Sequence, residues 1–184
     1  DPDHIAADLL SQAEHDVAAQ SILLTDDAGF ADRVITAVTA QLQTLPRRAV
    51  AQQSWRDWGV VIVVRDLAEA AAISNAFAPE HAELCIAAPE ALLPLLRHAG
   101  SIFLGWHTPE AIGDYVAGTN HVLPTARTAR FASGLNVTDF MKRSTLIGCT
   151  QAALAAIGPA AVTLAEAEGL HAHAASVSRR LAKS

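Results

Sequence analysis

Asp114 and His121 stand seven positions apart in GDYVAGTNHVLPT, with Gly118 and Asn120 between them and Pro124 behind. A carboxylate and an imidazole on turns fixed by glycine and proline can converge on a cation or a polar ligand. The same residues also suit a solvated loop with Asx turns. Gln12 and His15, in QAEH, are i and i+3 of a predicted helix and share one face. That spacing serves two ligands on one metal, or a helix end whose imidazole complements the C-terminal dipole. Glu80 and His81, in APEH, put an acid beside a base whose unperturbed pKa suits proton transfer near neutrality. Pro-Glu-His is also ordinary turn chemistry. Glu168, His171 and His173 surround Gly169. In a helix, imidazoles two apart diverge by about 200°, so at most one readily faces a given site. The residues alone do not choose between them.

Composition narrows the chemistry. Of the 184 residues, 51% are hydrophobic and 17% charged, so a packed core is expected and disorder is not. The net charge of -6 gives no electrostatic footprint for nucleic acid. No apolar run reaches the length of a membrane span, and no basic, apolar leader is present, so no membrane partner is expected. Cys85 and Cys149 read as reduced thiols of a cytoplasmic protein, not as a disulfide framework. Without a CxxC, any zinc must be held by nitrogen and oxygen. The chain opens on Asp1-Pro2 without a methionine, which reads as a helix start inside a longer polypeptide.

These residues need elements to hold them. Periodicity and stop signals predict helices over 3–14, 28–45, 47–58, 66–77 and 92–98. Strands are predicted over 21–25, 60–64, 82–87, 101–104 and 144–149, the β-branched run at 60–64 suiting a strand covered on both faces. Residues after Leu104 are expected to form a long polar loop through Pro124. The alternation argues for an α/β fold: a partial Rossmann-like mixed or parallel sheet with flanking helices. From Thr150 the alanine-rich sequence predicts three short helices broken at Gly158-Pro159 and Gly169. The expected domains are therefore 1–134, α/β, and 135–184, a small C-terminal helical arm.

QAEH, APEH, GDYVAGTNHVLPT, MKRSTLIG and EAEGLHAH, in this order and spacing, resemble the C-terminal half of the histidinol dehydrogenase family. The similarity runs from Asp1 to the final helix, and GDYxxGTNHVLPT is its most specific part. The resemblance implies that Gln12, His15, Asp114 and His173 are ligands of one Zn2+ and also surround the substrate. It implies that Glu80 and His81 are the catalytic acid–base pair, His81 also touching substrate. Glu168 matches a substrate-binding glutamate and His121 a histidine of the same pocket, whereas His171 falls at a position on which the family does not rely. It further implies a homodimer with a shared active site, the last ligand and Glu168 coming from the partner subunit, consistent with the prevalence of C2 dimers.

The implied reaction is a zinc-dependent, NAD-linked, four-electron oxidation of L-histidinol to L-histidine through the aldehyde, the last step of histidine biosynthesis. Two nitrogen and two oxygen ligands suit Zn2+, with open positions for substrate and a template role for the metal. No GxGxxG follows any predicted strand, so no NAD+ contact is assignable here. In the family, nucleotide contacts and a substrate-touching serine come mostly from the N-terminal half, and these 184 residues are expected to be inactive alone. Two other readings accommodate the residues: a zinc hydrolase with Glu80 as base, which needs no NAD+, and a non-catalytic metal-binding module.

Overall fold

Asp1 starts the first helix by accepting the Asp3 amide at 2.9 Å, and Pro2 occupies the first turn, where its missing N–H is not needed. Helix α1 (Pro2–Ala13) buries Ala6, Leu9, Leu10 and Ala13 against Val34, Ala37 and Val38 of α2 (Ala28–Gln41). Val34 and Val38 are fully buried, each worth about 1.5–3 kcal/mol. Asp27 caps α2 by accepting the Phe30 amide. Helix α3 (Arg48–Trp58) closes this core with Ala51 and Trp55. This computed structural model describes residues 1–182.

Strand β1 (Ile22–Thr25) pairs in parallel with β2 (Val60–Val63), Ile22 opposite Val60, with α2 and α3 as the crossover. Helix α4 (Leu67–Phe77), capped by Asp66, leads to β3 (His81–Leu84). Strand β3 pairs in parallel with β4 (Ser101–Leu104), His81 opposite Ser101. The α/β class is as expected, but the strands form two separate two-stranded parallel sheets. Between β3 and β4 lie a one-turn helix α5 (Pro89–Leu92) and a 3-10 turn (Leu93–Leu95), where a helix over 92–98 was expected. Pro94 and the Asn75 side chain explain the early end. Asn75 accepts the Arg97 amide at 2.7 Å and donates to Leu95 O, taking over backbone groups that a longer helix would use.

The chain divides into two compact units, Asp1–Phe140 and Met141–Ser184. The Leu135 amide donates to Val122 O, so residues 135–140 belong to the first unit. In the second unit, α7 (Gln151–Ala167) runs through Gly158-Pro159, and α8 (His171–Leu181) follows, giving two helices instead of three. Proline disfavours a helical residue before it by clashing with that residue's N–H and Cβ. Gly158 has no Cβ, and one placed there would meet Leu181 and Val177 of α8 at 3.2 Å. The glycine thus relieves part of the clash and admits α8 closely. Residues 144–149 form no strand; Leu146 and Ile147 are exposed. An isolated apolar run has no neighbouring strand to bond its backbone groups.

Candidate functional site

The C-terminus of α4 turns sharply to set up the first catalytic candidates. Ala78 adopts a left-handed backbone, φ 51°, and its amide donates to Ser74 O. The next residues, Pro79 and Glu80, accept the amides of Gly100 and Ser101 through their carbonyls at 3.0 and 2.9 Å. A side chain at Gly100 would stand 2.6 Å from Glu80 O and 3.0 Å from Pro124, so glycine is what allows this approach. Glu80 therefore precedes β3 directly, and His81 is the first residue of the strand.

Asp114 does not lie in a loop. Residues 110–115 form a short helix, α6 (Glu110–Tyr115), which places Glu110 and Asp114 one turn apart on a common face. Its own N-cap, Pro109, has no side-chain acceptor to offer. The cap comes instead from β3, where Glu83 accepts the Glu110 amide at 2.9 Å. Gly113 lets α6 sit on β4; a Cβ there would be 2.6 Å from the Phe103 ring. Phe103 is buried, and its ring centroid lies 5.9 Å from that of His81.

After α1 the chain is tied down by two hydroxyls. Ser21 donates to Leu9 O at 2.7 Å and Ser54 donates to Ala19 O at 2.9 Å. These bonds hold the turn bearing His15 against the end of α1 bearing Gln12. The Asn120 side chain accepts the Val122 amide, so it closes an Asx turn, and His121 beside it, though exposed, lines the cavity rim.

Gln12, His15, Glu80, His81, Asp114 and His121 line one cavity of about 530 Å³, together with Glu110. All six are among the residues singled out from the sequence, and they come from three separate stretches of the chain. Glu168 and His173 belong to the second unit, where Glu168 ends α7 and His171 and His173 lie exposed in the first turn of α8.

Inside the cavity His81 Nε2 is buried without a hydrogen-bond partner. Burial holds its pKa below 6.5, with His15 acting the same way and Glu80 and Asp114 opposing. The imidazole is therefore neutral near pH 7, and its 3.7 Å approach to Glu110 is a polar contact, not an ion pair. Glu110, almost fully buried, has its pKa raised by desolvation and by the carboxylate of Asp114, while His15 and Ser11 oppose the shift. Ser11 donates weakly to Glu110 at 3.4 Å.

Two donor sets therefore overlap. The donor atoms of His81, Glu110 and Asp114 lie within 4.8 Å of one another. The set suggested from the sequence, Gln12, His15, Asp114 and His173, shares only the aspartate with that trio. A neutral imidazole with an unpartnered Nε2 suits a base as well as a ligand. The cavity offers nitrogen and oxygen donors and no thiol among its lining residues, a donor set suited to Zn2+ or a similar ion.

Glu110, Ser11, Glu83 and Asp8 escaped the sequence reading. Pro109-Glu110 was a usable helix-start signal for α6. Glu83 is two residues from His81, hence on the same face of β3.

The family model for histidinol dehydrogenase matches residues 1–181. The chain is 64% identical to histidinol dehydrogenase of Rhodospirillum rubrum over 182 residues, which are 98% of this chain and 42% of that protein. It is 65% identical over 181 residues to histidinol dehydrogenase of Cereibacter sphaeroides, with the same shares covered. The crystal structure of histidinol dehydrogenase from Elizabethkingia anophelis superimposes with a TM-score of 0.90 at 41% identity, over 100% of this chain and 42% of that one. The chain thus spans about two fifths of the length of the curated relatives it matches.

Proposed function

Because the chain belongs to the histidinol dehydrogenase family, we propose that it supplies the metal-binding and acid–base portion of an enzyme that oxidises L-histidinol to L-histidine. Overall, histidinol, two NAD+ and one water give histidine, two NADH and three protons. The observation that carries this reading is the gathering of Gln12, His15, Glu80, His81, Asp114 and His121 around one cavity.

In this reading Gln12, His15 and Asp114 hold a Zn2+ ion, with His173 as the fourth protein ligand, from the same or a partner subunit. When bound, the ion orients an imidazole- and amine-bearing substrate and polarises what it binds. His81, neutral and with a free Nε2, takes the substrate hydroxyl proton in the first oxidation. Glu80 deprotonates the water that adds to the aldehyde before the second. Glu168 and His121 bind substrate. The C-terminal arm, expected over 135–184 and compact from Met141 onward, is exchanged across a homodimer. The NAD+ site lies mostly outside this chain, which carries no GxGxxG, and no step here is assigned to a nucleotide-binding residue. The setting is cytoplasmic; among the described residues, no helix is long and apolar enough to cross a membrane.

The test is turnover of L-histidinol with Zn2+ and NAD+, followed by NADH absorbance. The full-length enzyme carrying this chain is expected to produce two NADH per histidinol, and the 184 residues alone none. NAD+-independent turnover by the full-length enzyme, or vigorous NADH production by the 184 residues alone, would contradict the assignment.

A further inference from the structure

Behind the cavity, outside the ligand and acid–base sets, three groups from different elements meet. Glu83 of β3 accepts the first amide of α6, that of Glu110, at 2.9 Å through Oε1. The Asp8 carboxyl of α1 faces the Glu83 carboxyl, their oxygens within 4.8 Å. The Cys85 thiol donates to Glu83 Oε2 at 3.9 Å. Donor atoms of Asp8, Glu83 and Cys85 lie within 4.8 Å of one another.

Two half-buried carboxyls this close repel each other as anions, which favours a proton held between them. Burial first, then the neighbouring Asp8 charge, push the Glu83 pKa up to about 7, and burial raises that of Asp8 as well. The Cys85 thiol is pushed up to about 11, first by burial, and remains a protonated donor.

The connectivity matters because each partner lies close in sequence to a site residue. Asp8 is one helical turn before Gln12 on α1. Glu83 is two residues past His81, on the same face of the strand. Glu110 opens the helix that carries Asp114 and has no cap of its own. We propose that Glu83 is a positioning residue for the site, its carboxyl locking α1 and α6 to β3 so that Gln12, His81 and Asp114 share one cavity. This inference rests on the ligand assignment above.

The experiment compares Glu83→Ala and Glu83→Gln in the full-length enzyme, with Co2+ as the probe metal. Its absorption bands report affinity and ligand geometry, and amide hydrogen exchange at Glu110 reports the cap without any metal. A glutamine can accept the Glu110 amide and donate to the nearby Asp8, so it keeps both ties. Glu83→Ala is expected to weaken Co2+ binding by about tenfold or more and to deprotect the Glu110 amide by a similar factor, the loss of a hydrogen bond to a partly buried group. Glu83→Gln is expected to restore both to within about threefold. Should Glu83→Ala not fold, Asp8→Ala severs the tie to α1 alone, and is expected to weaken Co2+ binding while leaving the Glu110 amide protected. Wild-type cobalt affinity and amide protection in Glu83→Ala would overturn the proposal, as would a glutamine variant as impaired as the alanine one. Failure of the wild-type enzyme to bind Co2+ would refute the ligand assignment instead, and the amide readout would still decide the role of Glu83 as cap.

Discussion

Gly113→Ala probes whether the packing of α6 on β4 sets the position of Asp114. The added Cβ would lie 2.6 Å from Phe103 Cε1 and 2.9 Å from Cζ. Carbon atoms rest at about 3.5–4.0 Å, so helix and ring must separate by about 1 Å. The ring has little room to yield, being buried and packed beside the His81 imidazole. Overpacking of this kind costs about 1–3 kcal/mol. Alanine regains about 0.8–1 kcal/mol of helix propensity over glycine. The net loss of stability is therefore small, about 0–2 kcal/mol. Function should suffer more, since a shift of about 1 Å in a positioned group can cost about a hundredfold in rate. The assay pairs urea denaturation with steady-state histidinol oxidation in the full-length enzyme. Adding Phe103→Leu removes the ring atoms in the way and should recover much of the loss. A Gly113→Ala enzyme with activity within about twofold of wild type would refute the claim that this contact fixes Asp114.

Other outcomes follow from the same geometry. Glu80→Gln and His81→Asn should each leave zinc content unchanged by atomic absorption. The first should impair chiefly the aldehyde oxidation and the second the initial proton removal, each by about a hundredfold or more. Loss of zinc in both would place these residues among the ligands. The raised pKa of Glu83 also predicts a pH effect on stability. A group whose folded pKa rises from 4.5 to about 7 contributes stability that is complete below 4.5 and lost as pH rises through about 7. Denaturation midpoints measured from pH 5 to 8 should fall with pH, and Glu83→Gln should flatten that slope; an unchanged slope in the variant would contradict the shared proton.

Much of this was legible in the sequence, for identifiable reasons. Asp27 and Asp66 announce their helices because a short acceptor before an apolar-periodic run is a local signal. The run at Val60–Val63 and the segment Ser101–Leu104 are strands because their side chains suit a pleated surface, but the expected cover on both faces of the first is incomplete, Val63 being exposed. Helix α6 was hidden because its cap, Glu83, lies 27 residues away on another element. Pro159 suggested a break that Gly158 helps to avoid, which depends on α8 packing there. The pattern at Ser144 to Cys149 promised a strand, but strand formation depends on a neighbour that local sequence does not reveal. Within the site, motif residues were recognisable, whereas Glu110 and the Asp8–Glu83 pair emerge only once helices and strand are set in register.

The most direct test is anomalous diffraction at the zinc absorption edge, on crystals of the full-length enzyme carrying this chain. The prediction is a single strong peak bonded to Gln12, His15 and Asp114, completed by His173 of either subunit, with Glu80 and His81 beyond bonding distance. A peak seated instead on His81, Glu110 and Asp114, or on Asp8, Glu83 and Cys85, would contradict it.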